Sequence, residues 1–178
     1  MTRQRIHSAL AIVAMLAITY ALKRHYSTAD AEALQWILAP TAWLVETVFQ
    51  APFVFEQHVG YVNQELRFAI APSCAGVNFM IIAICTASVG FVSYMRTLRA
   101  KLALLFASVA LAYLATLGVN TGRIAIALLL QAHPLSIAGL SSAQIHQAEG
   151  IVVYFTSLCA LYVLADRLLA RPSTKAPT

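Results

Sequence analysis

Three residues of reactive type lie far apart in the chain, and each borders an apolar segment. Cys74 lies just before one apolar stretch, Arg123 just after a second and His146 just before a third. A thiolate is a nucleophile, an imidazole exchanges protons near neutral pH, and a guanidinium can stabilise an oxyanion. Together they are the parts of an acyl-transfer site, provided that the three segments bring them to one membrane face.

Two further polar residues lie close to these three in the sequence, and each has two interpretations. Asn120 either caps a helix that carries Arg123, since asparagine is a favoured cap, or takes part in the chemistry. Glu149 shares a helical face with His146 if the helix starts early. Its carboxylate then either orients the imidazole or is only a charge at the membrane boundary.

The composition indicates an integral membrane protein. Of 178 residues, 60% are hydrophobic and 11% are charged, with a mean hydropathy of +0.74, whereas soluble domains have about 25% charged residues. The net charge of +5 could suggest nucleic acid. The basic residues of the chain instead form short clusters between apolar runs, without interleaved aromatic residues, so we expect no nucleic-acid partner.

The cysteines and histidines give no pattern of metal or cofactor ligands. The three cysteines have no paired spacing and no CxxC, and His58 and His133 have no ligand spacing to one another. Cys85 and Cys159 lie inside apolar runs and are interpreted as packing residues. We therefore expect neither a metal nor another cofactor.

The apolar segments predict an all-α polytopic membrane protein. About five transmembrane helices are expected, at Ile6–Leu22, Leu34–Phe49, Gly76–Met95, Leu102–Val119 and Gly150–Ala165. The first of these is interpreted as a retained span rather than a removed signal peptide. Arg123–Gln131 is apolar but too short to cross, and it predicts a re-entrant or half-embedded helix.

The segment between residues 50 and 72 has a different pattern, which predicts a small extracytoplasmic β-hairpin. Apolar residues alternate with others in Glu65–Ile70. Phe53–Phe55 is expected to pair with this strand, with a turn at His58–Gly60. Residues 1–170 are predicted to form a single domain, and residues 171–178 a disordered tail.

Basic residues predict the orientation of the second half of the chain. The cluster Arg96–Lys101 and the basic residues after the last span should be cytoplasmic. Cys74, Arg123 and His146 then all lie at the outer face. The N-terminal half leaves two alternatives: if residues 34–49 cross, the N-terminus is outside, and if they lie in the interface, it is inside.

Three segments of the sequence resemble, in order, the signature segments of the exosortase/archaeosortase family, whose members are multi-span transpeptidases. They are "PSCAGVNFM", "VNTGRIAIALL" and "IHQAEGIVVYF". The family's cysteine, arginine and histidine fall on Cys74, Arg123 and His146, and the asparagine of the second segment falls on Asn120. Typical members have more spans, and the chain looks most like the short exosortase K type.

The resemblance implies a sortase-like reaction at the periplasmic face of the bacterial inner membrane. A membrane-anchored substrate protein with a C-terminal sorting signal, of the PEP-CTERM kind, would be attacked by Cys74. Arg123 would stabilise the oxyanion or the thiolate, and His146 would protonate the leaving amine. A thioester would then pass to a surface acceptor. Two alternatives stay open: a non-catalytic membrane subunit of an exopolysaccharide export system, and a cysteine protease without transfer.

Overall fold

The computed structural model describes residues 3–133 and 141–169. It has five helices and a three-stranded antiparallel sheet, in the order α1 (Arg3–Thr28), α2 (Gln35–Phe49), β1 (Val54–Glu56), β2 (Gly60–Asn63), β3 (Phe68–Ile70), α3 (Val77–Phe91), α4 (Leu98–Ala132) and α5 (Ser142–Leu169). Single 3₁₀ turns precede and follow α3. The prediction of an all-α polytopic membrane protein with a small sheet is confirmed. The predicted disordered tail lies outside the described residues.

Four helical segments of the described residues are long and apolar enough to cross a membrane: α1, α4, α5 and Pro72–Tyr94, in which 3₁₀ turns extend α3 at both ends. The fifth predicted span forms the shorter α2, whose 15 residues rise only about 22 Å. A bilayer core is about 30 Å thick. The described part of the chain therefore has four candidate spans beside one short helix.

The spanning helices alternate in direction, as contacts at the two ends of the bundle show. At the end that we name the Cys74 end, the Tyr26 hydroxyl at the end of α1 donates to the carbonyl of Pro72, 3.4 Å away, just before α3. At the opposite end, the Lys101 end, the ammonium group of Lys101 in α4 donates to Ser8 in α1 at 2.6 Å and to the carbonyl of Val92 at 3.1 Å. Helix α1 thus ends where α3 begins.

Helix α2 and the sheet therefore leave and re-enter the bundle at the same end. The chain makes no net crossing between α1 and α3, because Tyr26 and Pro72 are in contact. Of the two alternatives for the N-terminal half, this geometry agrees with an α2 that does not cross. The N-terminus of α1 then lies at the Lys101 end.

Helix α2 contains a proline, and a neighbouring helix compensates for it. Pro40 has no N–H to donate to the carbonyl of Trp36, one turn earlier. The hydroxyl of Tyr113 in α4 donates to that carbonyl at 2.8 Å, and the two aromatic rings stack with centroids 6.0 Å apart. This contact fixes α2 against α4.

The predicted pairing of Phe53–Phe55 with the strand in Glu65–Ile70 is wrong, because the structure has a three-stranded sheet in which these segments are not neighbours. Strand β2, which the sequence pattern did not reveal, lies between β1 and β3 and pairs with both: Phe55 is opposite Tyr61, and Tyr61 is opposite Ile70. Gly60 begins β2 with φ +118°, and a Cβ there would overlap the carbonyl of Ile70. A glycine is therefore needed where this strand starts.

The prediction of a separate re-entrant helix at Arg123–Gln131 is wrong. These residues form the last part of α4, which runs without a break over 35 residues. The polar residues that suggested a boundary, Asn120 and Arg123, find partners inside the bundle, so the helix has no reason to end there. The apolar residues after them, Ile124 and Leu128, pack in the core shared by α2 and the sheet.

Candidate active site

A tight backbone turn places Cys74 against α4. Cys74 ends a single 3₁₀ turn that starts at Pro72, and Gly76 follows with a left-handed φ of +72° before α3 begins. A Cβ on Gly76 would lie 3.0 Å from the Cγ2 atom of Thr116 and 3.3 Å from Cγ of Asn120. The glycine thus permits both the turn and the close approach to α4. The Cys74 side chain is half-buried.

Asn120 connects this turn to α5. Its side chain is fully buried, and its Nδ2 atom donates to the Cys74 carbonyl at 2.5 Å. Its Oδ1 atom accepts from the hydroxyl of Tyr154 at 2.7 Å. The interpretation of Asn120 as a helix cap is wrong, because α4 begins at Leu98 and Asn120 lies well inside it.

Arg123 lies one turn further along α4 and contacts α5. Its Nη2 atom is 3.3 Å from Nε2 of His146, and its Cζ atom lies 5.5 Å from the ring centroid of Tyr154. Cys74 is joined to the same contact, because Asn120 binds both the Cys74 carbonyl and the Tyr154 hydroxyl. The Nε atom of Arg123 is buried without a hydrogen-bond partner among the described residues. The guanidinium rests on Gly150, where a Cβ would be only 2.9 Å from Nε.

The contact with Arg123 determines which nitrogen of His146 carries the proton. A guanidinium can only donate hydrogen bonds, so Nε2 of His146 must accept and the imidazole is neutral with its hydrogen on Nδ1. That Nδ1 atom faces Oε2 of Glu149 at 3.5 Å. The Glu149 side chain is only 6% exposed, and neither of its oxygens has a hydrogen-bond partner within the described ranges.

The arrangement brings together a thiol, a guanidinium and an imidazole from three different helices or their ends. Glu149 and Asn120 contact members of this group, so all five residues singled out from the sequence lie at the Cys74 end. Tyr154 was missed. It lies eight residues after His146, with Gly150 between them, so the three share one face of α5 at a spacing of four. A polar and glycine face on an otherwise apolar helix was the signal that could have found it.

A separate group of possible metal ligands lies between the α1–α2 linker and the sheet. Ligand atoms of Asp30, Glu32 and His58 lie within 4.8 Å of one another. Glu32 already accepts from the backbone N–H of His58 at 3.2 Å, and its Oε1 atom is 3.8 Å from the imidazole Nδ1. These contacts join the linker to the β1–β2 turn.

The comparison with protein families agrees with the geometry. A family model described as transmembrane exosortase matches residues 2–163, a range that contains Cys74, Asn120, Arg123, His146 and Glu149. No curated protein and no solved structure gives a significant match. Since the family match covers nearly the whole chain, the protein belongs to the transmembrane exosortase family.

Proposed function

We propose that the protein is a membrane-embedded cysteine transpeptidase. It would cleave the C-terminal sorting signal of a translocated, membrane-anchored protein and transfer that protein through a thioester to a surface acceptor. The observation that carries the proposal is the contact network at one end of the bundle that links Cys74, through Asn120 and Tyr154, to Arg123 and His146, from segments far apart in the sequence. Membership of the exosortase family supports the same reaction class.

The charges at the two ends of the bundle support an outward-facing site. Among the described side chains, the Lys101 end has five basic residues and one acidic residue, Asp166. The basic residues are Arg5, Arg96, Arg99, Lys101 and Arg167. By the same count, the Cys74 end has four basic residues, Lys23, Arg24, Arg67 and Arg123, but six acidic ones: Asp30, Glu32, Glu46, Glu56, Glu65 and Glu149. Cytoplasmic ends are rich in Lys and Arg. The Cys74 end would then face the periplasm of a bacterial inner membrane, where a translocated substrate is available.

The first half-reaction forms the thioester. When Arg123 turns its N–H groups toward the scissile carbonyl, Nε2 of His146 becomes free to take the Cys74 thiol proton. The sulfur attacks the carbonyl carbon, and the guanidinium stabilises the oxyanion. The C–N bond then breaks, His146 returns the proton to the leaving nitrogen, and the acyl group stays on Cys74.

The second half-reaction passes the acyl group to the acceptor. The acceptor's nucleophilic atom gives its proton to Nε2 of His146 as it attacks the thioester carbonyl. The C–S bond breaks, and the sulfur of Cys74 recovers the proton from His146. Glu149 stabilises the imidazolium through Nδ1 in both half-reactions. Cys74 and His146 therefore return to their starting protonation states after one cycle.

Single cysteine replacements test the proposal. In host cells, Cys74→Ala should leave membrane-anchored precursors with their C-terminal segments uncleaved, as detected by mass spectrometry of C-terminal peptides. Cys85→Ala and Cys159→Ala are matched controls, because these cysteines lie further along α3 and α5. They should process normally. Normal processing by Cys74→Ala at equal abundance would instead favour a non-catalytic membrane subunit.

The mass of the processed protein separates transfer from hydrolysis. A transpeptidase leaves an acceptor adduct on the new C-terminus, whereas a protease leaves a free carboxylate. Brief treatment with hydroxylamine should release the acyl group from the thioester as a hydroxamate, in wild type and not in Cys74→Ala. A free carboxylate on every processed protein would reduce the proposal to proteolysis.

A further inference from the structure

Tyr154 occupies the point where two sets of contacts meet. Its hydroxyl donates to Asn120, which holds the Cys74 carbonyl. Its ring lies under the Arg123 guanidinium and stacks on Phe79 of α3, with centroids 5.3 Å apart. One side chain thus contacts the support of the nucleophile and the cation that faces it.

The direction of the hydrogen bonds in this chain is fixed by chemistry. The carbonyl of Cys74 can only accept, so the Asn120 amide must present Nδ2 to it. The oxygen of the same amide then faces Tyr154 and requires a donor, which the phenol hydroxyl supplies. Loss of that hydroxyl would leave a fully buried amide oxygen without a donor, and the amide would gain freedom to turn away from Cys74.

The position of Tyr154 matters because α5 is the least buried of the four candidate spans. It carries His146, and most of its apolar side chains point away from the protein. The contacts of Tyr154 with α3 and α4 lie at the level of the site. The docking of α5 and the geometry of the thiol are therefore linked through this residue.

We propose that Tyr154 is a positioning residue that keeps the Cys74 thiol and the Arg123 guanidinium close to each other. Its hydroxyl acts on Cys74 through Asn120, and its ring acts on Arg123 directly. The role in catalysis rests on the proposed function, whereas the geometric coupling does not. Tyr154 itself takes no part in bond making, since its hydroxyl is already committed to Asn120.

The proximity of the Arg123 guanidinium to the Cys74 thiol can be measured without a substrate. Two methanethiosulfonate reagents, one with an anionic sulfonate and one with a cationic trimethylammonium group, react with the full-length protein in lipid nanodiscs with Cys85 and Cys159 replaced by alanine. In each reaction the Cys74 sulfur attacks the sulfenyl sulfur, a disulfide forms and methanesulfinate leaves. The anionic-to-cationic rate ratio, divided by that for free cysteine, reports how close Arg123 is to the sulfur.

The ratio should fall in steps as the contacts are removed. Wild type should favour the anionic reagent about tenfold, because one unit charge lies near the sulfur. Tyr154→Phe keeps the ring but loses the hydroxyl, so the guanidinium should lie further from the sulfur on average and the ratio should fall about threefold. Tyr154→Leu loses both contacts and should give a ratio close to that of Arg123→Gln.

Tyr162 provides the matched control on the same helix. Its ring also stacks on a phenylalanine of α3, Phe91, at 5.7 Å, and it lies two turns further from the site. Tyr162→Phe and Tyr162→Leu should keep the wild-type ratio. If Tyr154→Phe and Tyr162→Phe give the same ratio, or if Tyr154→Leu leaves it unchanged, the positioning role is wrong.

A second variant tests the coupling from the other side. Asn120→Ala should lower the ratio as Tyr154→Phe does, and the double variant should show no further decrease, since both changes break one chain of hydrogen bonds. Additive effects would overturn the proposal. Because these ratios need no turnover, they can hold even if Cys74→Ala processes substrates normally, so the two proposals fail separately.

Discussion

Helix α4 carries a cation at each end of the bundle, fully buried Lys101 and half-buried Arg123, and their contacts differ. Lys101 is 1% exposed and donates to Ser8 and to the carbonyl of Val92, which lies at the C-terminal end of α3. Cations are stabilised there by the helix dipole. Arg123 instead contacts His146, Gly150 and the ring of Tyr154 on α5, and its Nε atom has no hydrogen-bond partner in the described ranges.

This difference indicates what each residue is for. Neutral oxygens, one of them at a favourable helix end, surround the Lys101 ammonium, as expected of a group that joins three segments of the fold. The donors of Arg123 are incompletely used, and one of them faces a histidine that can also act as a base. A half-buried cation with an N–H group that has no partner in the described part of the chain is suited to an anion that forms only during the reaction.

Replacing Arg123 should give the largest change in activity. Arg123→Gln is expected to lower processing about 10²- to 10³-fold, the loss typical of an oxyanion-stabilising donor. Its melting temperature in detergent should change little, because the hydrogen bond that Arg123 loses is with the exposed His146 and its Nε atom has no partner to lose among the described residues. Arg123→Lys keeps the charge but loses the planar fork, so it should restore only part of the activity.

The comparison would break if Arg123→Gln melted well below wild type. Arg123 would then stabilise the fold as Lys101 does, and a loss of processing would only reflect unfolded protein. Processing per folded molecule, normalised by the monodisperse fraction in gel filtration, separates the two outcomes.

A substitution at Gly150, which the Arg123 guanidinium contacts, should affect activity less than replacing Arg123 itself. In Gly150→Ala, the new methyl would lie 2.9 Å from Nε, so the guanidinium must move. We expect processing to fall about tenfold, since small displacements of catalytic groups lower rates strongly. Gly118→Ala on α4 is the control, because a Cβ there meets nothing within 4 Å. Equal activity of the two variants would show that the position of Arg123 on Gly150 is unimportant.

The sequence was sufficient to predict the membrane class, the general helix positions and five residues that the fold brings to one end of the bundle, although it did not reveal Tyr154. It did not predict that α4 continues past Asn120 and Arg123. A polar pair in an apolar run suggests an end, because the sequence does not show the distant groups that satisfy it: the Cys74 carbonyl, Tyr154 and His146.

Helix α2 teaches the same lesson. Pro40 and Glu46 are both unusual inside an apolar helix, yet each affects a polar group whose partner only the fold supplies. Tyr113 donates to the carbonyl left free by Pro40, and Glu46 accepts from the backbone N–H of Phe53 at 2.7 Å just after the helix. Strand β2 was missed for a related reason, since its four residues are defined by pairing on both sides rather than by their own pattern.

The smallest change in activity is expected at Lys101. Lys101→Met keeps the length of the side chain and removes the ammonium, so the Val92 carbonyl and Ser8 lose a charged donor. We expect the protein to lose about 1–3 kcal/mol of stability, while processing per folded molecule stays within about twofold of wild type because the site lies at the opposite end. Arg99→Met, an exposed cation near the same end of α4, removes the same charge and should leave the melting temperature unchanged. Lys101→Met could instead abolish processing without destabilising the protein. That result would show that the cations at both ends serve the reaction, and the contrast between a structural Lys101 and a catalytic Arg123 would be wrong.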